Sequence, residues 1–334
     1  MAYSSTVLRR AIQRLEERRA RREREQARTR AHICQTLPQA DQLDRALRRT
    51  AAGVIAAALR AGDDPAPAIQ EVKARSQSLQ LQLAQLLRQN GYPADALDDT
   101  PFCPKCGDRG WIGAQMCTCL KELCTQEQIG ELSKLLDLGG QSFESFSLDY
   151  YSDRPWPGET ETPRERMEFI RDVCYNYASR FPNFLYPNLF LTGAPGLGKT
   201  FLSACTARMV AERGYSVVYD TAVNIFAQFE TQKFSRDTPG LQDARDETRR
   251  YLHCDLLILD DLGSEMTTPF VQSALYTLVN ARLAAQRRTI ISSNLSMDEV
   301  RRRYSGQTAS RLEGEYRVLP FYGEDIRLLR KQRL

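Results

Sequence analysis

Between Leu189 and Thr200 the chain reads Leu-Phe-Leu-Thr-Gly193-Ala194-Pro195-Gly196-Leu197-Gly198-Lys199-Thr200, and a helical pattern follows from Phe201. Gly193, Gly196 and Gly198 permit a tight turn whose N–H groups converge on one point. The helix that begins there turns its positive end toward the same point. Phosphate oxygens are the natural occupant. Lys199 has the reach to neutralise β- and γ-phosphates, and the Thr200 hydroxyl can ligate Mg²⁺. Strand, glycine turn and helix come in the order this chemistry needs, so ATP with Mg²⁺ is the expected ligand of residues 193–201.

Hydrolysis would need further groups around the phosphates. The apolar run Asp255-Leu-Leu-Ile-Leu259 ends in Asp260-Asp261. Asp260 sits where a carboxylate holds the Mg²⁺ shell with Thr200, and Asp261 where one orients or deprotonates an attacking water. Thr289-Ile-Ile-Ser-Ser293 reads as a further strand ending at Asn294. Its amide can place that water, although an asparagine at a strand end also serves as a turn residue. Arg311 and Arg327 are candidates to neutralise charge on the γ-phosphate, one route being an arginine supplied by a neighbouring subunit. Surface arginines are common, and spacing does not separate the roles.

The second chemical cluster is made of thiols. Of nine cysteines, five lie between Cys103 and Cys124. Cys103-Pro-Lys-Cys106-Gly is a knuckle turn that aims two thiolates at one point, and Cys117-Thr-Cys119 supplies a tighter second pair. Four thiolates satisfy structural Zn²⁺, and such a closed site leaves no open position for catalysis. With only Phe102, Trp111 and Ile112 to bury, the segment needs the metal to fold. Cys124 is an alternative to a member of the second pair, and an iron–sulfur cluster uses the same number of thiolates.

These groups need a scaffold. The 334 residues are 42% hydrophobic and 26% charged, enough for a core and a polar surface. No apolar run approaches a membrane span, and the N-terminus lacks a signal core, so a cytoplasmic protein without a membrane partner is expected. The net charge of +4 is too mild to argue for nucleic acid. Residues Val7 to Arg30 form an Arg/Glu-rich helical segment. It is either a solvated helix or an arm for an acidic surface or nucleic-acid phosphates. Two amphipathic helices follow. Leu43, Leu47, Val54, Ile55, Ala58 and Leu59 mark the first. A break at Gly62–Pro65 separates it from the second, marked by Ile69, Val72, Leu79, Leu83, Leu86 and Leu87. The expected domains are a helical partner-binding region over 1–100, the zinc element over 101–124, a linker over 125–162 and an ATPase domain over 163–334. In the linker, Phe143 and Phe146 are expected to anchor on the domain that follows. Alternating helices and strands from Pro163 predict an α/β fold, a parallel sheet with helices on both faces and ligands at the carboxyl ends of the strands.

The series GAPGLGKT, LLILDDLG, TIISSN, SRL and FYGEDIRL resembles the AAA+ ATPases of the bacterial helicase-loader group, the DnaC/DnaI proteins, which also include the transposition helper IstB. The resemblance runs from about Phe143 to the C-terminus. The four-cysteine element is similar to the zinc element of many DnaI-like members. The resemblance implies Lys199 and Thr200 in Walker A, Asp260 and Asp261 in Walker B, Asn294 as sensor 1, Arg311 as arginine finger and Arg327 as sensor 2. It further implies a loader of a replicative DNA helicase on single-stranded DNA, assembling with copies of itself on ATP and DNA. DNA contact is implied in the helix and loop around Val223 to Arg236, with Lys233 and Arg236 as the contacts; Phe226 and Phe229 suit either stacking or core. Two rivals remain open, a transposition helper on duplex DNA and a zinc-dependent adaptor whose ATP site is only regulatory.

Overall fold

The computed structural model describes residues 3–60, 66–135, 142–235 and 240–332, with the side chains of 51–60, 66–69 and 133–135 excepted. Among the described residues no helix is long and apolar enough to cross a membrane. The break at Gly62–Pro65 and Arg236 lie outside them, as do the side chains of Val54, Ile55, Ala58, Leu59 and Ile69. The chain divides into two compact units, one within Gln13–Cys117 and the other made of residues up to Ile12 with those from Thr118 on.

Three helices precede the cysteine segment: α1 (Ser5–Thr36), α2 (Pro38–Arg60) and α3 (Ala66–Gln89). In the unit within Gln13–Cys117, α2 packs along α3. Leu83 and Leu87 are buried with Ile33, Ala40 and Leu97, and Leu43, Leu47 and Leu86 pack around them. The spacing of these leucines keeps one stripe apolar, and burial of that stripe rather than propensity stabilises such helices. On α1, Glu23 and Glu25 accept from Arg19 and Arg21 one turn earlier. These exposed i,i+4 pairs solvate the helix and add little to its stability. The short strands β1 (Trp111–Ile112) and β2 (Gln115–Met116) form an antiparallel hairpin between the two cysteine pairs.

The other unit holds the sheet. The segment α4 (Thr118–Leu135) carries regular structure past Gln126, where composition turns to that of a linker, and it packs on the helix after the glycine turn. The order continues α5 (Pro163–Ser179), β3 (Leu189–Thr192), α6 (Lys199–Glu212), β4 (Val217–Thr221), α7 (Ala222–Phe234), α8 (Leu241–His253), β5 (Leu256–Leu262), α9 (Pro269–Ala284), β6 (Arg288–Ser293), α10 (Met297–Tyr304), α11 (Gly306–Glu315), β7 (Arg317–Pro320) and α12 (Ile326–Gln332). Five parallel strands run in the order β4-β5-β6-β3-β7. All four β3 residues are buried, as a strand covered on both faces requires. Leu189 and Leu191 face a core shared with Ile170, Tyr177, Leu202 and Val210 of α5 and α6. Phe190, of opposite parity, faces Ile225, Tyr251, Leu275 and Leu312 from α7, α8, α9 and α11. Each such side chain contributes about 1.5–3 kcal/mol by leaving water.

This topology sets the carboxyl ends of β3, β5 and β6 side by side, with β5 and β3 flanking β6. Near its end β5 shifts register between Leu259 and Leu262, and Asp261 takes a left-handed φ of 58°. A bulge of this kind re-aims a side chain. Here it turns two consecutive acids to different partners.

Candidate nucleotide-binding site

A cavity of about 540 Å³ opens over the strand ends. Its lining includes Pro195, Gly196, Leu197, Gly198, Lys199, Thr200 and Phe201 together with Asp260, Asp261, Asn294 and Arg327. Gly193 and Ala194 do not line it; their carbonyls accept from Lys199. The glycines are sterically required. A Cβ on Gly193 would lie 2.2 Å from the Phe321 carbonyl oxygen, and Gly196 takes a left-handed φ of 78° that a side chain would strain. Gly198 caps α6 at a φ of 93°.

Lys199 Nζ donates to the carbonyls of Gly193 at 2.6 Å and Ala194 at 2.8 Å, and to Asn294 Oδ1 at 2.8 Å. The other end of the same amide, Asn294 Nδ2, donates to Asp261 Oδ1 at 2.9 Å. Asn294 therefore joins Lys199 of the glycine turn to Asp261 of β5 through the two ends of one amide, which a simple turn residue would not do. Its amide orientation follows from this network.

Asp260 is held separately. Tyr219 donates to its Oδ2 at 2.7 Å and Thr200 to the same oxygen at 3.3 Å, while Ser292 donates to Oδ1. Ser292 also accepts the Asp261 N–H at 3.0 Å. Burial, reinforced by Asp260, raises the Tyr219 phenol well above its ordinary value, so it remains a donor. Thr200 beside a fixed carboxylate, with three glycines leaving the backbone open, suits a magnesium–triphosphate. Thr200 and Asp260 would hold the ion.

Burial lowers Lys199 to about 8, with Arg327 adding to the effect and Asp261 and Asp260 opposing it. Below that pH the ammonium is already charged, and binding phosphate takes up no proton. Above it the neutral amine must be protonated on binding, so affinity falls as pH rises. ATP affinity is expected to hold between pH 6.5 and 7.5 and then to drop, approaching about tenfold per pH unit by pH 9. Titration calorimetry in buffers of different ionisation enthalpy would read the proton uptake directly. A flat profile to pH 9.5 would contradict the assignment.

Sequence reasoning missed Tyr219, Ser292 and Tyr151. The Tyr151 hydroxyl donates to the Leu197 carbonyl at 3.0 Å and would sit 2.8 Å from a Cβ on Gly198. Phe146 packs on Tyr151 and on Phe201 at centroid distances of 5.8 and 5.5 Å, and Phe143 meets Tyr175 edge-on at 5.5 Å. Both expected aromatic anchors are present: Phe143 seats on α5, and Phe146 with Tyr151 lies beside the glycine turn. Arg330 lies over the Tyr150 ring at 5.4 Å at the cavity edge.

The two candidate arginines part company. Arg327 lines the cavity, whereas Arg311 is exposed on α11 in a shallow depression with Tyr276, Gln307 and Ser310. Among the proposed DNA contacts, Phe226 is buried in the core and Phe229 stacks on Tyr251 at 6.3 Å. Lys233 is exposed but lies over the rings of Phe234 and Phe270 at 5.6 and 5.1 Å.

The Sγ atoms of Cys103, Cys106, Cys117 and Cys119 all lie within 4.8 Å of one another. Zinc bound tetrahedrally by thiolates sets sulfurs roughly 3.8 Å apart, and Cys103 and Cys117 stand at 3.6 Å. Gly110 donates its N–H to Cys106 Sγ at 3.3 Å, so the residues fit a four-thiolate metal. Cys124 stands outside this group, buried on α4 with its thiol raised by burial to about 11. Buried Asp108 organises the first knuckle. It accepts the N–H groups of Phe102 at 3.1 Å and Cys103 at 2.8 Å, and pairs with Arg22 at 3.3 Å. Asp108→Ala is expected to weaken metal retention roughly 10- to 100-fold, the usual cost of losing an outer partner. A zinc-release titration against a chromogenic chelator checks this, and wild-type retention would refute it.

Residues 185–331 match the family model described as IstB-like ATP binding protein. Over 123 residues the chain is 32% identical to the replicative helicase loader DnaI of Bacillus subtilis (strain 168), covering 35% of this chain and 36% of that protein. It is 29% identical over 161 residues to the chromosomal replication initiator protein DnaA of Aquifex aeolicus (strain VF5), covering 46% and 36%. With the replicative helicase loader DnaC of Escherichia coli (strain K12) it shares 24% over 159 residues, covering 48% and 57%. The matches thus span between 36% and 57% of the length of these relatives. A lysine and a threonine of the glycine turn, gathered with two strand-end acids in one cavity, lie within a stretch that is similar to the IstB-like ATP binding proteins and to the helicase loaders DnaI and DnaC.

Proposed function

We propose that the chain is an ATP-hydrolysing loader of a replicative DNA helicase, which contacts single-stranded DNA and assembles with copies of itself. One observation carries the catalytic half. Lys199, Asn294 and Asp261 form a continuous hydrogen-bonded chain in the cavity that also holds Thr200 and Asp260. Backbone N–H groups of the glycine turn and Lys199 grip the β- and γ-phosphates. Asp261 takes a proton from water as its oxygen bonds to the γ-phosphorus and the bond to the β-phosphate oxygen breaks, giving ADP and phosphate. Asn294 aligns that water. Arg327 acts within its own site, and Arg311 acts on the site of a neighbouring copy. Magnesium, when bound, neutralises charge on the β- and γ-oxygens. The four cysteines hold zinc in a structural role.

The partner half draws on the resemblance to DnaI and DnaC. The helices α1 to α3, remote in sequence from the cavity residues, are the surface for the helicase, and Lys233 with Arg236 contributes to the DNA contact. The test is co-purification of the chain with the replicative helicase of the same cell, with and without ATP. The reading expects a stable complex and tighter binding of single-stranded than duplex oligonucleotide. No complex in either condition would refute it, and preference for duplex would favour the transposition helper.

A further inference from the structure

Asp260 is buried at the end of β5 between two strands, and each neighbouring strand reaches across to it. Tyr219 on β4 donates to Oδ2 at 2.7 Å, and Ser292 on β6 donates to Oδ1. A carboxylate offers about four lone-pair positions. Thr200, at 3.3 Å, takes a second position on Oδ2, so that oxygen is saturated. The Tyr219 ring is core, 7% exposed with its β4 neighbours Val217 and Val218. A phenylalanine would fill the same space, so the hydroxyl serves the carboxylate rather than the packing. A buried phenol must also find an acceptor, and among the described residues it finds Asp260 at the one carboxylate that faces the metal-binding threonine.

We infer that Tyr219 is a positioning residue for the divalent cation: its hydroxyl pins Asp260 so that the carboxylate accepts a hydrogen bond from the Thr200 hydroxyl and leaves the threonine oxygen's lone pairs aimed at the ion. Ser292 pins the other oxygen from the opposite strand. The inference rests on the reading of the cavity as a magnesium–ATP site and adds to it a residue that touches neither nucleotide nor metal.

The experiment is equilibrium binding of a fluorescent ATP analogue to the full chain, first in EDTA and then across a MgCl₂ titration, for wild type and Tyr219→Phe. Wild type is expected to tighten on the analogue as magnesium is added. In Y219F the magnesium concentration giving half of that gain rises roughly 10- to 100-fold, as for other outer-shell losses, while affinity in EDTA and the thermal midpoint stay near wild type. Should Y219F fold poorly, Ser292→Ala loosens the same carboxylate from β6 and reads the same shift. An unchanged magnesium requirement in a folded variant overturns the inference, and so does an equal loss of affinity in EDTA, which would mark the hydroxyl as structural only. Wild-type protein that binds the analogue without any response to magnesium would instead bring down the site reading itself.

Discussion

Lys199→Ala is expected to lower ATP affinity by at least about a hundredfold, since charge-assisted hydrogen bonds contribute about 1.5–3 kcal/mol each and this ammonium makes several. Its three donors go to the carbonyls of Gly193 and Ala194 and to Asn294 Oδ1. Among the described residues no other lysine lines the cavity, and the arginines that do, Arg327 and Arg330, both come from the helix α12. Alanine therefore removes the charge that the glycine turn itself presents to the phosphates. The loss has a second consequence. Asn294 loses the donor that holds its carbonyl end, so the amide is free to turn away from Asp261, and any residual binding should be hydrolytically silent. Calorimetric titration with ATP and Mg²⁺ measures the first effect and single-turnover phosphate release the second. A variant that binds ATP within a few-fold of wild type would show that the lysine is structural.

Arg311→Ala has the other large effect, of a different kind. Because Arg311 is exposed on α11 and absent from the cavity of its own chain, ATP binding by the single chain should be unchanged. Turnover of the assembled protein should fall roughly a thousandfold, the scale of losing an arginine finger. Mixing distinguishes action on a neighbour from action at home. R311A keeps an intact Lys199 and K199A keeps an intact Arg311, so a mixed assembly contains sites with the glycine turn of one and the finger of the other. Activity above that of either variant alone is the expected result. Two inactive proteins that stay inactive together would assign Arg311 to its own chain or to surface charge alone.

How far the residues alone reveal this molecule depends on the type of signal. The glycine turn, the paired acids and the asparagine each lie at the end of an apolar strand, and the parallel sheet brings all three strand ends to one cavity. The knuckle cysteines were legible because chain-local spacing fixes their geometry. Hidden elements have a physical reason. The helix α8 carries a weak local signal, because charged residues surround a narrow stripe of Ala244, Thr248 and Tyr251. The helix α11 opens on glycine and buries only Thr308, Ala309 and Leu312. Tyr219, Ser292 and Tyr151 were invisible for another reason. Each works through one hydroxyl on a partner at least 30 residues away, and a tyrosine in a strand or a serine at its end carries no local mark of such a bond. The one hint was the doubled serine before Asn294. Asp108 escaped similarly, since an acid after a knuckle reads as surface until its two N–H donors and Arg22 are seen around it.

The most direct measurement of the loader account uses a closed circle of single-stranded DNA, which a ring helicase can enter only by opening. The replicative helicase of the same cell is incubated with the circle, ATP and Mg²⁺, with or without this protein, and DNA-bound helicase is counted after gel filtration. The account predicts retention that requires this protein and is lost with K199A. Equal retention in its absence, or none in its presence, would contradict it.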